Sequence, residues 1–351
     1  VLAAGRIDVH QHVVPPFWVD GLARRKSVHR PPAWTPEGAI AFMDSREIGR
    51  GILSLTAPGI SDWLEDEHRA LARRVNEYTA AVASARPERF GSFATLPLPD
   101  IDAALDEVAY ALDTLGADGV VLLSNYRDRY LGDPVFEPLW SELDRREAVV
   151  FIHPTRSTLR ELSGIPAPFV DFPFDTTRTA VDMVLKGVLD RHARMRIILS
   201  HAGGFLPYAA DRFAACASLM PQAASVEALL ATFRRFYFDT ALSSSPFALP
   251  SLKAFADPGR IVFGSDYPYA PGGPAESFKR CSTRARCYPM PTAPPSIAAT
   301  QRNSSNNFRK NYPRHTLCIE VDQCQCYVRC RWPLLRWRCW VPHPFRFPQI
   351  P

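Results

Sequence analysis

Residues 1–275 of this 351-residue chain predict a (β/α)8 barrel, an α/β fold. Three observations carry that expectation. Short, almost uninterrupted apolar runs recur eight times. Between them the apolar spacing switches to the three-to-four interval of amphipathic helices. Eight such units fit in roughly 270 residues, close to the usual length of this architecture.

The eight runs are residues 7–12, 51–56, 90–96, 119–123, 149–153, 197–201, 236–240 and 261–266. Their near-continuous apolar character is that of parallel strands covered by helices on both faces, where no solvent side imposes alternation. Residues 61–86 read as the second helix and 176–192 as the fifth. Ile101, Leu105, Val108, Leu112 and Leu115 form one helical stripe behind Asp100, a good N-cap. Val135, Leu139, Trp140 and Leu143 form another behind Asp133, with Pro134 suited to the first turn. A doubly wound nucleotide-binding sheet would need a glycine-rich turn after the first strand. This chain has His10-Gln11-His12 and then Val13-Val14-Pro15-Pro16, which cannot cradle a pyrophosphate. Nor is there a P-loop, so nucleotide cofactors are not expected.

Composition sets further limits. The 46% hydrophobic content excludes wholesale disorder, and no run approaches the roughly 18 apolar residues of a membrane span. The net charge of +5 averages two unlike segments. Residues 1–270 hold 28 Lys/Arg against 33 Asp/Glu, whereas residues 271–351 hold 13 against 3. Seven of the eight cysteines and 12 of the 33 prolines lie in that last segment, and no glycine follows Gly273. Residues 276–351 therefore read as a basic Pro/Cys/Arg-rich tail without a packed core, outside the ancestral reading frame. The spacings of Cys318, Cys324, Cys326, Cys330 and Cys339 do not form paired zinc-module motifs. Arg331-Trp332 and Arg336-Trp337-Arg338 come without a recognised binding fold. Neither nucleic acid nor membrane is expected as a partner. One cysteine in the first part, Cys216, and no leader peptide predict a reducing, cytoplasmic compartment.

Function in such a barrel concentrates at the C-terminal ends of the strands. Four of the eight predicted strands end in chemistry-bearing residues: His10 and His12, His153, His201, and Asp266. The two-residue period of a strand puts His10 and His12 on one face. Three histidines and one aspartate from this set would suit a zinc site with open positions. Singly, each has a plainer reading, since His-x-His is usually just two polar residues and Gly-Ser-Asp is often a turn. Their coincidence at strand ends is what singles them out. Phe17, Trp18, Phe169, Phe172 and Phe174 are candidates to line a flat apolar pocket, each with a place in the core as the commoner reading. Arg178 would meet a carboxylate or pair with Asp175.

The motifs His10-Gln11-His12, His153-Pro154-Thr155, His201-Ala202-Gly203-Gly204 and Gly264-Ser265-Asp266-Tyr267-Pro268 resemble the metal-dependent amidohydrolase superfamily. Within it they resemble the aminocarboxymuconate-semialdehyde decarboxylase-like branch, and residues 93–99, 118–126, 130–140 and 172–180 look closest to 6-methylsalicylate decarboxylases. The likeness spans about residues 6–272. It implies one divalent metal ion, Zn2+ with Mn2+ as the alternative, held by His10, His12, His153 and Asp266. It implies His201 and Asp266 as catalytic residues. It also implies that Arg212, eleven residues after His201, reaches a neighbouring subunit's site and binds substrate carboxylate, hence a homodimer. Two-metal members carry a bridging lysine on the fourth strand, and residues 119–123 contain none. The activity implied is non-oxidative decarboxylation of a hydroxy-aromatic carboxylate such as 6-methylsalicylate. Hydrolysis of a lactone or amide by metal-activated water uses the same residues and stays open at this point.

Overall fold

The computed structural model describes residues 5–156, 164–221 and 224–270. The expectations for the tail, its cysteines and its Arg-Trp pairs lie outside those residues. Seven parallel strands run side by side in chain order: β1 (Arg6–His12), β2 (Ile48–Ser54), β3 (Phe90–Thr95), β4 (Gly119–Leu123), β5 (Val149–His153), β6 (Arg196–Leu199) and β7 (Tyr237–Phe238). The eighth run forms isolated parallel bridges in place of a regular ladder, pairing Ile261 with Phe238 and Phe263 with Asp8. Asp266 at φ +60° and the following Tyr267-Pro268 step turn the backbone away from regular strand geometry. The ring still closes. Val262 donates its N–H to the Phe238 carbonyl (2.9 Å), Asp266 to that of His10 (2.8 Å), and His12 to that of Tyr267 (2.8 Å).

Nearly every strand sends an apolar side chain to the barrel axis. Val9, Ile52, Phe93, Val121, Phe151, Ile198 and Val262 form one buried cluster, with Tyr237 packed against it. A larger cluster fills the space between strands and helices, around Phe136, Trp140, Met183, Phe236 and Phe238. This two-sided burial is the physical reason the runs carry no polar alternation.

Two helices precede β2: α1 (Pro16–Arg24) and α2 (Pro36–Asp44). Of the two readings open for Trp18 the structure shows the core one: its ring is fully buried and its Nε1–H donates to the Gly59 carbonyl at 2.7 Å. Helix α3 (Glu65–Ala85) begins four residues later than the pattern implied, after a turn at Trp63 and Leu64. Helix α4 (Ile101–Ala109) is capped by Asp100, whose carboxylate accepts from Ala103 N–H at 3.0 Å, and it widens into a π-turn over Tyr110–Thr114. Asp133 caps the 3-10 turn leading into α5 (Glu137–Arg145). The fifth predicted helix is in fact two. Helix α6 (Asp171–Leu185) stops at Gly187, whose φ of +70° ends α-helical geometry, and α7 (Val188–Arg191) follows.

His68 and His192, read from sequence as residues of polar helical faces, are both buried. His68 Nε2 lies 3.1 Å from the Trp63 carbonyl. His192 Nε2 lies 2.7 Å from Glu137 Oε1, while Arg191 meets Oε2 at 2.8 Å. The hydrogen bond from Arg191, aided by His192 and opposed by partial burial, brings the Glu137 pKa down to about 2. A carboxylate depressed in the folded state contributes stability above its unfolded pKa of about 4.3, and loses it as pH falls toward 2. Glu137 is more than a third exposed, so Glu137→Gln should cost no more than about 1 kcal/mol at neutral pH. Urea unfolding of both proteins at about pH 7 and pH 3 checks this: the gap should narrow in acid, and a constant gap would rule the carboxylate out.

Candidate metal centre

The site is built at the C-terminal ends of the strands. On β1, the alternation of side chains sends His10 and His12 to the same inner face, their ring centroids 4.9 Å apart. His153, the last residue of β5, comes within 5.2 Å of the His10 ring and 5.0 Å of the His12 ring. Asp266, at the irregular eighth segment, completes the group. His10, His12, His153 and Asp266 each offer one ligand atom, and these atoms all lie within 4.8 Å of one another. All four residues are buried.

Neighbours fix each ring. His12 Nδ1 lies 3.3 Å from the Ser54 carbonyl and 3.2 Å from its hydroxyl, which leaves Nε2 facing Asp266 Oδ1 at 3.1 Å. His153 Nδ1 lies 2.7 Å from the Pro154 carbonyl. His10 Nδ1 lies 2.6 Å from Asp239 Oδ2, and His10 Nε2, fully buried, makes no hydrogen bond and sits 3.4 Å from Asp266 Oδ1. In all three imidazoles Nδ1 is engaged by an oxygen and Nε2 is turned toward the centre. That is the arrangement in which outer partners set the tautomer of ligating histidines.

The electrostatics point the same way. Burial disfavours protonation of His10, yet the adjacent carboxylates of Asp239 and Asp266 outweigh it and push its pKa up to about 10. Burial also disfavours ionisation of Asp266, and there the charge of His10, with the hydrogen bond to His12 and the closeness of the His10 and His201 imidazoles, holds the carboxyl well below the usual range. His153 is held well below the ordinary histidine value, first by burial and then by the neighbouring histidines. Two buried carboxylates thus draw positive charge into a space lined by Nε2 atoms. A divalent cation fits that donor set, with nitrogen and oxygen ligands suited to Zn2+. Strand β4, fully buried, carries no lysine to bridge a second ion.

His201 stands beside the cluster, its ring 5.0 Å from that of His10 and its Nε2 3.7 Å from Asp266 Oδ2. Its Nδ1 is buried without a hydrogen bond. His201 (φ +53°), Ala202 (φ +57°) and Asp266 all occupy the left-handed region, rare for non-glycine residues and concentrated at functional sites. Gly264 is needed for a different reason. A Cβ there would lie 2.9 Å from the His10 Cβ and 3.0 Å from the Asp239 Cγ.

The other predicted site residues are dispersed. Of the predicted aromatics Phe172 reaches the centre, its ring 6.1 Å from His153, where Phe151 (4.9 Å from His10) and Tyr269 (5.5 Å from His12) also stand. Phe174 is half exposed and packs on Phe205 at 4.7 Å, while Phe169 is exposed and Phe17 packs on Tyr78. Arg178 lies on the exposed side of α6 and donates to the Tyr130 hydroxyl at 3.4 Å, not to Asp175. Asp175 is instead buried and accepts from Tyr130 (2.7 Å), Asn125 (2.9 Å) and Ser124. Arg212 is exposed on α8 (Leu206–Ala217). A cavity of about 590 Å³ has a wall that includes Pro58, Leu98, Tyr126, Thr155 and the cationic Arg25 and Arg156, and none of the four candidate ligands lines it. Sequence reasoning missed Asp239. Its only signal was a charged residue next to the end of the seventh apolar run.

Comparison with known proteins gives a consistent context. The family model described as Amidohydrolase matches residues 7–280. The 6-methylsalicylic acid decarboxylase of Penicillium expansum is 43% identical over 279 residues, covering 76% of this chain and 86% of that protein. Decarboxylase yanB of Aspergillus niger is 43% identical over 298 residues, covering 78% and 80%. Among solved structures, the 2,6-dihydroxybenzoate decarboxylase from Rhizobium matches with a TM-score of 0.62 at 27% identity, covering 76% of this chain and 88% of that one. Among the described residues, no helix is long and apolar enough to cross a membrane.

Proposed function

The chain belongs to the amidohydrolase family, and from that premise we propose that it is a metal-dependent, non-oxidative decarboxylase of a hydroxy-aromatic carboxylate such as 6-methylsalicylate. The observation that carries this reading is the buried group of His10, His12, His153 and Asp266 with His201 alongside, in a chain 43% identical to a 6-methylsalicylic acid decarboxylase. We assign His10, His12, His153 and Asp266 as ligands of one ion, Zn2+ in preference to Mn2+. When bound, the ion supplies positive charge that stabilises the anionic substrate as its ring loses aromaticity.

The remaining chemistry belongs to the chain. Replacing a ring carboxylate by hydrogen needs a proton at the carbon that bears it. The C–C bond then breaks, its electron pair returns to the ring, and CO2 leaves. No electron is gained or lost, so no redox cofactor is required. Asp266 delivers the proton. Because its neighbours hold it ionised at rest, it must first be loaded, and His201 Nε2 at 3.7 Å from Oδ2 is the resupplying group. His201 Nδ1, buried and free of protein partners, faces substrate. Phe172 offers an apolar surface beside His153 for the flat ring. Arg212, contributed by a neighbouring copy in a homodimer, and Arg178 are assigned to the substrate carboxylate, with Phe174 at the mouth.

The test is CO2 release from 6-methylsalicylate by purified protein supplied with Zn2+ or Mn2+. A phenolic product formed in equal amount with CO2 is the expected result. If the reaction in oxygen-18 water labels the organic product, hydrolysis is the activity and this reading is wrong.

A further inference from the structure

Asp239 is a buried carboxylate that the proton-transfer scheme does not use. It lies just after β7, fully buried, and both of its oxygens are engaged. Oδ2 lies 2.6 Å from His10 Nδ1. Oδ1 accepts the backbone N–H of His201 (2.9 Å) and of Ala241 (2.9 Å). Its main-chain carbonyl accepts from Ala202 N–H at 3.0 Å. Thus one residue fixes the orientation of His10 and also grips the two left-handed residues, His201 and Ala202. A carboxylate can only accept, so His10 turns an Nδ1–H toward Asp239, and Nε2, which faces inward without a hydrogen bond, is left as its ligating atom.

We propose that Asp239 is a positioning residue that couples the metal centre to the proton-handling histidine. It sets His10 to ligate through Nε2, and it holds the strained turn that brings His201 to Asp266. This rests on the decarboxylase reading only for the activity readout, because metal affinity is measured without substrate. An asparagine at 239 presents either an oxygen or an amide to each side. With its oxygen kept on the two backbone donors, its NH2 faces His10 Nδ1 and can only donate, which forces the opposite tautomer; with its oxygen turned to His10, it is an uncharged acceptor and leaves the His201 and Ala241 N–H groups unsatisfied.

The experiment compares wild-type, Asp239→Asn and Asp239→Glu proteins, each reconstituted with Zn2+. Zinc affinity is measured by competition with a chromophoric chelator, and kcat and KM are measured at saturating metal. Asp239→Asn should bind Zn2+ at least about tenfold more weakly, in line with the loss of an outer-shell partner of a ligating histidine. It should also keep a reduced kcat when the metal is saturating, with a shifted pH–rate profile, because His201 is displaced. Asp239→Glu should recover part of the affinity. Unchanged zinc affinity in a folded Asp239→Asn protein overturns the proposal, and so does full recovery of kcat by saturating metal. If the variants do not fold, nitrogen-15 histidine spectra of the wild-type holoprotein decide: His10 must show a protonated Nδ1 and a metal-bound Nε2. The opposite tautomer overturns the proposal. A wild-type protein that binds zinc as described but releases no CO2 removes the decarboxylase reading while leaving this one standing.

Discussion

Asp266→Asn should lower kcat for CO2 release by about 10³-fold or more, with the fold intact. The magnitude follows from the residue's two assigned tasks, since loss of a positioned proton donor alone costs about 10²–10⁴. Asp266 also faces three imidazoles at once, 3.1 Å from His12, 3.4 Å from His10 and 3.7 Å from His201. Asparagine keeps the size but not the charge. It removes the anion that balances His10, and its amide cannot be reprotonated by His201. Metal content must be measured on the same samples, so that the loss can be apportioned between ligand and acid. A metal-loaded Asp266→Asn protein within tenfold of wild-type kcat would contradict the assignment. His201→Asn should be less damaging, because it removes the resupplying group and leaves the donor in place.

Metal removal is the second large effect. Prolonged dialysis against a chelator should abolish turnover and lower the unfolding temperature, and Zn2+ should restore both. An ion at one hundred times its dissociation constant stabilises by about 2.7 kcal/mol. For the roughly 270 residues of the barrel that corresponds to about 5 °C. The direction with pH is fixed by His10. Without metal its pKa is about 10, so near neutrality the ring carries a proton that an incoming ion must displace. Stripping should therefore go faster at pH 6 than at pH 8. Protein verified as metal-free by elemental analysis and still turning over at the wild-type rate would exclude the ion from the reaction.

Much of this architecture was legible in the amino-acid order because burial imposes period and composition together. Runs covered on both faces, as in Val149–His153, stay apolar to the last residue. A histidine closing such a run is conspicuous. His10 and His12 were readable as a pair because strand geometry places alternate residues on one side. Asp239 was not readable, because an aspartate after Phe236-Tyr237-Phe238 looks like the polar start of any turn. Its importance comes from meeting His10, 229 positions earlier in the chain, and no local pattern records that meeting. The aromatic residues show the same limit. Trp18 and Phe172 are alike in composition and context, yet one is walled in by Gly59 and the other reaches His153. The break at Gly187 was visible as a glycine, but only the +70° torsion distinguishes an interrupted helix from a tolerated residue.

The closing bridges between the first strand and residues 261–267 have a consequence for how the molecule comes into being. His12 and Asp266 are 254 positions apart, yet their side chains touch, and the backbone bonds that seal the ring are interleaved with them. Bringing such distant points together carries one of the largest loop-closure costs available within residues 5–270. The seam and the reactive centre are therefore one object. A nascent chain that has emerged only as far as residue 260 has its three histidines but lacks the carboxylate that completes them. His10 and His12 on one side and Asp266 on the other would hold an ion across that seam, and so would tie the two ends of the ring together.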